Sequence, residues 1–229
     1  MVFFCLQLKS DFKLQYPMKE DNFFIKINSK SEDIIRFARS KAAQASKHSG
    51  AAEGIRTCLD LLDKSATDID TEISHLNQVT ALMLLPYLVA LPGNGRGKSV
   101  KKVSRTEVVE SFINSVGSDS DIDTQVQQRR KKGERIQPHI VYSGNSPFTP
   151  SKVFVVFDDV KYLQPDIVSA VDATFKIIMA LNALYPEPSK DVWLLIQIGL
   201  FEIKTVFDPK SLNQTVRTIL IACSMYPDS

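Results

Sequence analysis

Short apolar segments separated by polar residues occupy the first 28 residues of the chain. The segments "VFFCLQL", "FKLQY" and "FFIKI" are rich in Phe and Ile and are divided by Asp, Pro and Asn, which is typical of strands. Residues 31–48 instead show a helical pattern, with acids in the first turn and lysines near the end, as the helix dipole favours. We therefore predict an N-terminal strand–helix region over residues 1–50.

A helical period resumes after Ser49-Gly50. Apolar residues recur at three- and four-residue steps as far as Pro86, which indicates one face of a helix. Because proline lacks a backbone N–H and its ring clashes with the preceding turn, we expect a kink or a helix end at Pro86. Residues 51–91 are predicted to be a helical region.

Charges come in blocks between residues 92 and 137. A basic block at 96–105 is followed by a stretch with acids and no bases, and then by a second basic block at 129–135. Alternating charge blocks with few apolar residues are typical of a solvated chain. We predict that residues 92–137 form a charged, partly disordered connector that contains one short amphipathic helix at 105–116.

The pattern changes again after Pro138. The segments "HIVYSG" and "KVFVVFDDV" are β-branched and aromatic and flank a turn rich in Pro, Gly, Asn and Ser, so two strands are predicted. Two apolar helices follow at residues 166–184 and 190–204, divided by the breaker "YPEP". Residues 138–229 are therefore predicted to be a ββαα unit, and the chain as a whole an α+β protein.

Three aromatic residues near the C-terminus allow two interpretations. Tyr185, Trp193 and Phe201 lie at near-helical spacing and could form a binding face. Leu and Ile residues surround them, however, and aromatic residues in such a setting belong more often to a core. We predict that they are core residues.

Composition narrows the class of protein without indicating a partner. The chain has 229 residues, of which 44% are hydrophobic and 24% charged, and a formal charge of +2, all ordinary for a soluble globular protein. Its three cysteines are far apart, which favours reduced thiols inside a cell. The start lacks the pattern of a secretory leader, and the most apolar stretches are too short or too charged to span a membrane. We predict an intracellular protein, cytoplasmic or nuclear, without a membrane partner.

A glycine-rich turn suggests nucleotide binding. The stretch "LVALPGNGRGKSV" ends like a phosphate-binding loop, whose backbone N–H groups surround the phosphates while its lysine reaches over them. That loop requires glycine at position 92, where the chain has Pro92, so the loop is one residue short. Downstream, the strand "VFVVFDD" contains Asp158 near its end, as a magnesium-binding strand does. One alternative hypothesis is thus a nucleotide-binding protein with a degenerate loop at 93–99, using Lys98, Ser99 and Asp158.

Two observations favour an accidental match to that loop. The segment "KSVKKVSR" places four bases where a phosphate-loop helix should begin to present an apolar face. The chain also lacks the alternation of strands and helices that a parallel sheet requires.

Other patterns of catalytic or metal-binding residues are incomplete. The acids at 119–123 begin like a calcium loop, but the sixth and twelfth positions of that loop are Thr124 and Arg130. The histidines are isolated and lack zinc-ligand spacing, and no pattern surrounds a nucleophilic serine or cysteine. We predict no catalytic residue, no metal site and no cofactor, and we favour a non-enzymatic protein.

The basic blocks and two Ser/Thr-Pro dipeptides suggest weaker alternatives. Blocks 96–105 and 129–135 are suited to contacts with a nucleic-acid backbone, and "RRKK" also resembles a nuclear import signal. A solvated linker explains the same composition, and we favour it. Ser146-Pro147 and Thr149-Pro150 are candidate sites of proline-directed phosphorylation, which would add about two negative charges near "RRKK".

A series of motifs follows residue 138: a proline-led strand, a second apolar strand, a helix with Val-Asp, a Tyr-Pro break, and a helix with an aromatic residue and Gln. The matching residues are Pro138, Phe154-Val155-Val156, Val171-Asp172, Phe175, Tyr185-Pro186, Trp193 and Gln197. With the preceding Leu-Pro helix in "NQVTALMLLPYLVAL", the series resembles the C-terminal block of a large, multi-copy set of uncharacterised animal proteins. The likeness covers residues 74–207, and "YSGNSPF" departs from the family's plainer turn. That family has no assigned activity, so the resemblance implies a fold unit and no site, and it implies that Asp158 and Asp159 are turn residues.

These patterns together favour a non-enzymatic protein-interaction module whose partner is a protein. Nucleotide binding through residues 93–99 is one alternative. Nucleic-acid binding through residues 96–105 and 129–135 is the other. The sequence does not indicate an oligomeric state.

Overall fold

The computed structural model describes residues 10–46, 49–67, 72–92, 102–131, 137–157 and 160–226. The described residues fall into two compact units, each assembled from two stretches of chain. We call residues 21–109 with 188–229 the helical unit, and residues 1–20 with 110–187 the sheet unit. The predicted α+β class is confirmed.

The helices and strands are listed here in chain order. They are α1 (Asn22–Gln44), α2 (Gly50–Ser65), α3 (Ile73–Leu88), α4 (Arg105–Phe112), β1 (Ile113–Val116), α5 (Asp119–Lys131), β2 (His139–Ser143), β3 (Lys152–Phe157), β4 (Val160–Gln164), α6 (Ile167–Ala180), α7 (Lys190–Gly199) and α8 (Gln214–Ala222). Residues 10–15 are also helical, and a short 3₁₀ turn at Glu187–Ser189 precedes α7.

The helical unit is built on mutual packing of α1, α2 and α3, while α8 contacts both α1 and α7. One face of α1 is buried because its apolar residues, among them Phe23, Ile27 and Ile34, recur at helical spacing. Close approach of α2 to α3 requires Gly54, since a Cβ there would lie 2.0 Å from the Tyr87 ring. Apolar helix faces therefore account for the core of this unit.

The sheet unit contains a sheet in which the described strands follow the order β1-β2-β3-β4. Strand β1 runs parallel to β2, whereas β2, β3 and β4 are antiparallel neighbours. Helix α6 contacts β2, β3 and β4. Helix α5 contacts β1, and its Ile122 belongs to an apolar cluster with Val116, Val141 and Val156. The parallel pair requires a crossover connection, and α5 lies in it.

The N-terminal strands that we predicted are wrong wherever the structure describes them. Residues 12–15 and 23–27 are helical, and "VFFCLQL" lies outside the described residues. The segment "FFIKI" alternates over five residues, but Phe23 and Ile27 are four residues apart and begin the same buried face that Ile34 continues. A short alternating segment that adjoins a longer helical period becomes part of the helix, because helix formation buries the whole apolar face of the longer period.

The predicted connector over residues 92–137 also differs from the structure. Residues 105–131 form α4, β1 and α5, while 93–101 and 132–136 lie outside the described residues. Apolar side chains in this charged stretch are few, but Val108, Phe112, Ile113 and Ile122 are buried. The boundary between the two compact units lies within α4, between Val109 and Glu110.

The predicted ββαα arrangement describes only part of the sheet unit. Its two strands are confirmed as β2 and β3, but β1 and β4 lie at the two ends of the described sheet. The helix predicted over 190–204 ends at Gly199 and belongs to the helical unit. The predicted core residues Trp193 and Phe201 are fully buried, and Tyr185 is partly buried.

Candidate interaction surface

The nucleotide-binding alternative depends on three residues and on the loop at 93–99. Lys98, Ser99 and Asp158 lie outside the described residues. The alternative therefore stays a prediction.

The basic blocks are described only in part. Arg105, the last residue of the first block, donates from its guanidinium to the backbone oxygens of Pro86 and Val89, the latter at 2.9 Å. These oxygens lie at the C-terminal end of α3, where a positive charge is favourable. Burial lowers the pKa of Arg105 from its ordinary value. Arg105 therefore binds a helix end within the protein, whereas Lys102 and Lys131 are exposed.

The acidic run at 119–123 binds lysines of the sheet. Asp119 accepts a hydrogen bond from Ser143 at 2.6 Å and pairs with Lys152. Asp123 pairs with Lys161 at 2.5 Å. Lys152 and then Ser143 lower the pKa of Asp119 below its ordinary value. These carboxylates fix α5 on the sheet, and within the described ranges no three His, Cys, Asp or Glu side chains group as a metal site would.

Two described thiols are shielded from solvent, Cys223 fully and Cys58 in part. Burial raises the pKa of Cys58 to about 11. Burial, with the Asp33 charge, raises that of Cys223 to about 12. Both are therefore protonated at neutral pH, and neither is suited to act as a nucleophile.

A buried glutamine fixes the loop that follows α7. Gln197 is 2% exposed, and its side-chain amide donates to Ile203 O at 3.1 Å and to Asp208 Oδ1 at 2.8 Å. The Ile203 N–H donates back to Gln197 O at 3.0 Å. Because unsatisfied polar groups are costly to bury, these bonds fix the path of the loop relative to α7.

Asp208 closes a turn by accepting hydrogen bonds from Thr205. We call it the 205–208 turn. Its carboxylate accepts from the Thr205 N–H at 2.9 Å and from the Thr205 hydroxyl at 2.7 Å. The Thr205 Oγ1 in turn accepts from the Phe207 N–H at 3.2 Å. Both residues that flank the tip are therefore fixed by hydrogen bonds.

The tip of the 205–208 turn consists of two apolar side chains in solvent. Val206 is 92% exposed and Phe207 is 84% exposed. The charged side chains exposed beside them are Lys204 and Lys210. The negative charge of Asp208 is directed inward to Thr205 and Gln197. The turn thus presents an apolar pair that two exposed lysines flank in the chain.

The apolar period that predicts a helix over 190–204 gives no indication of this surface. A signal was present in "TVFDP". Thr and Asp three residues apart are typical of a side-chain-bonded turn, and a following proline cannot continue a helix. Between them stand Val206 and Phe207, which a turn at the surface exposes.

Comparison with known proteins adds no site. No family model, curated protein or solved structure matches the chain. Among the described residues, no helix combines the length and the apolarity that crossing a bilayer requires. The 205–208 turn is therefore a candidate interaction surface by its own geometry.

Proposed function

We propose that this chain is a non-enzymatic protein-interaction module and that it binds its partner through the 205–208 turn. The observation that carries the proposal is the exposure of Val206 and Phe207 on a turn fixed by Gln197 and Asp208. An isolated exposed apolar residue is ordinary on protein surfaces. Two adjacent ones on a hydrogen-bonded turn form a projecting contact that is already ordered.

A turn that is ordered before it binds has a higher affinity for its partner than a flexible loop with the same side chains. A flexible loop loses conformational freedom when it binds, which costs about 0.5–1.5 kcal/mol per immobilised side chain. The bonds from Asp208 to Thr205 limit the backbone freedom of this turn in advance. Fully burying a Val or Phe side chain contributes about 1.5–3 kcal/mol. The pair is therefore suited to be the centre of a larger interface.

The charges beside the turn indicate the chemistry of the partner. Lys204 and Lys210 are exposed and flank the apolar pair in the chain. A complementary surface would have an apolar pocket with carboxylates at its rim, since opposite charges speed association and exclude wrong partners. The partner of this proposal is thus a protein with an acidic-rimmed apolar pocket.

Family and location belong to the same proposal. The motif series within residues 74–207 supports membership of the multi-copy animal family as a fold unit. The spacing of the cysteines and the free thiols of Cys58 and Cys223 support a reducing, intracellular location.

The test uses a photoreactive residue to find the partner and point variants to check the contact. A photoreactive phenylalanine analogue at position 207 should cross-link the partner, which is then purified and titrated against the full chain. Phe207→Ser should weaken binding at least about tenfold, since about 1.4 kcal/mol corresponds to a factor of ten. Ile73→Ser, at a residue of the helical unit that is 63% exposed, is the matched control and should bind normally.

Two further variants test separately whether the ordering of the turn and the charges beside it contribute to binding. Asp208→Ala leaves the apolar pair in place but removes its bonds to Thr205, so affinity should fall severalfold. Lys204→Glu with Lys210→Glu should weaken binding most at low salt, where charges are least screened. Equal binding by Phe207→Ser and wild type would refute the proposal.

A further inference from the structure

The loop between β2 and β3 contains two Ser/Thr-Pro dipeptides in different surroundings. Residues 144–151 are closed at their base by a bond from Ser151 N–H to Ser143 O at 2.8 Å. Gly144 has a φ of 119°, a conformation that side chains other than glycine's rarely adopt. The loop therefore has a fixed entry and a fixed exit.

The first dipeptide, Ser146-Pro147, is shielded from solvent. Pro147 and Phe148 are buried, and Phe148 is 8% exposed. Ser146 is partly buried, and its hydroxyl oxygen accepts from the Phe148 N–H at 3.2 Å. A kinase that needs Ser146 with its following proline would have to pull Phe148 out of the core.

The second dipeptide faces solvent. Thr149 is exposed, as are Asn145 and Ser151, and Pro150 is partly buried. Proline after the acceptor restricts Thr149 to extended backbone, which is the conformation in which a substrate chain lies across an enzyme groove. The same loop thus offers one accessible acceptor and one protected acceptor.

A phosphate at Thr149 would lie near an ion pair that fixes α5. Lys152 is three residues further along the chain, so its Cα is at most about 10 Å from that of Thr149. Its ammonium pairs with Asp119 at the first residue of α5. A phosphothreonine carries about two negative charges at neutral pH, and the screening length at physiological salt is about 8 Å. The flexible side chain of Lys152 is therefore close enough to be attracted by a phosphate on Thr149.

We propose that Thr149 is a phosphorylation site for a proline-directed protein kinase, and that the phosphate competes with Asp119 for Lys152. The Thr149 Oγ1 attacks the γ-phosphorus of ATP, and an Oγ1–P bond forms as the bond to the β,γ-bridging oxygen breaks. ADP leaves, and the hydroxyl proton passes to a base of the kinase. Loss of Lys152 from Asp119 then loosens the first turn of α5.

The site is tested on the full chain with ATP and a purified mitogen-activated protein kinase. Intact mass and peptide mapping should show one phosphate, at Thr149, in wild type and in Ser146→Ala, and no phosphate in Thr149→Ala. Phosphate on Ser146, or no phosphate on Thr149 of the folded chain, would overturn the assignment.

The consequence is tested by amide hydrogen exchange across α5. Phosphorylated wild type should exchange about two- to fivefold faster at the first turn, the factor expected for the loss of one exposed ion pair. In Lys152→Ala, phosphorylation should leave the exchange rate of α5 unchanged. Equal rates in phosphorylated and unphosphorylated wild type would refute the competition for Lys152.

Discussion

The helical unit and the sheet unit differ in what they bury. Among the described residues, the buried polar side chains of the helical unit are all neutral: Ser31, Thr80, Ser189 and Gln197. The sheet unit buries a carboxylate and an ammonium, Asp172 and Lys176, which are 5% and 7% exposed. We infer that packing volume dominates the stability of the helical unit, whereas charge pairing is a second requirement in the sheet unit.

The buried pair of the sheet unit also fixes the first segment of the chain. Lys176 Nζ lies 2.8 Å from Asp172 Oδ2 and donates to Glu20 O at 2.8 Å. The same ammonium lies 5.6 Å from the centre of the Phe12 ring, and Phe12 contacts Phe175 edge to face. Residues 12–20 are thus bound to α6 by one cation and one aromatic contact.

The largest expected effect tests the packing of the helical unit. Trp193 is fully buried, and removing such a side chain typically costs about 3–5 kcal/mol through lost transfer energy and the cavity left behind. Trp193→Ala should therefore lower the free energy of unfolding by that amount, measured by circular dichroism in urea. Trp193→Phe, which fills most of the volume, should cost clearly less. If the alanine variant unfolds at the same urea concentration as wild type, the volume of buried side chains does not control the stability of this unit.

A somewhat smaller effect tests the charge pair of the sheet unit. Lys176→Met leaves Asp172 buried without its cation, and breaking such a pair costs about 3 kcal/mol at the lower end of measured values. The double variant Asp172→Leu with Lys176→Met removes both charges and should recover most of that loss in urea unfolding. A single variant no less stable than the double variant would show that the pair is not a requirement.

The smallest effect tests the surface charges that fix α5. Because Lys152 and Ser143 lower the pKa of Asp119, its contribution is fully present above the ordinary Asp pKa and is lost as pH falls through the lowered value. Protection of α5 against amide exchange, corrected for the intrinsic rate at each pH, should therefore fall below about pH 4. Asp119→Asn should lack this part of the pH dependence. Identical profiles for the two proteins would contradict the assignment to Asp119.

The chain before the candidate surface contains two local signals, one that predicts a helix and one that predicts a turn. The apolar period that predicts a helix from residue 190 is real as far as Gly199, and the turn signal in "TVFDP" begins only at Thr205. Gly199 allows α7 to end against α8, since a Cβ there would lie 2.9 Å from Leu220. The last residue of α7 is therefore packed closely against a helix that follows it in the chain.

Sequence patterns alone predict the α+β class, the strands β2 and β3, and the burial of Trp193 and Phe201, and the structure confirms them. These follow from local periodicity and residue type, which act within a few residues of the chain. Contacts between distant parts of the chain were needed to show that residues 23–27 join α1 and that "INSV" forms β1 beside β2. A strand of four residues with Asn and Ser has weak strand preference of its own, and its pairing is stabilised by a neighbour more than twenty residues away. The exposed turn of Val206 and Phe207 has a local signal in "TVFDP", and the tertiary structure adds the bond from the buried Gln197 to Asp208.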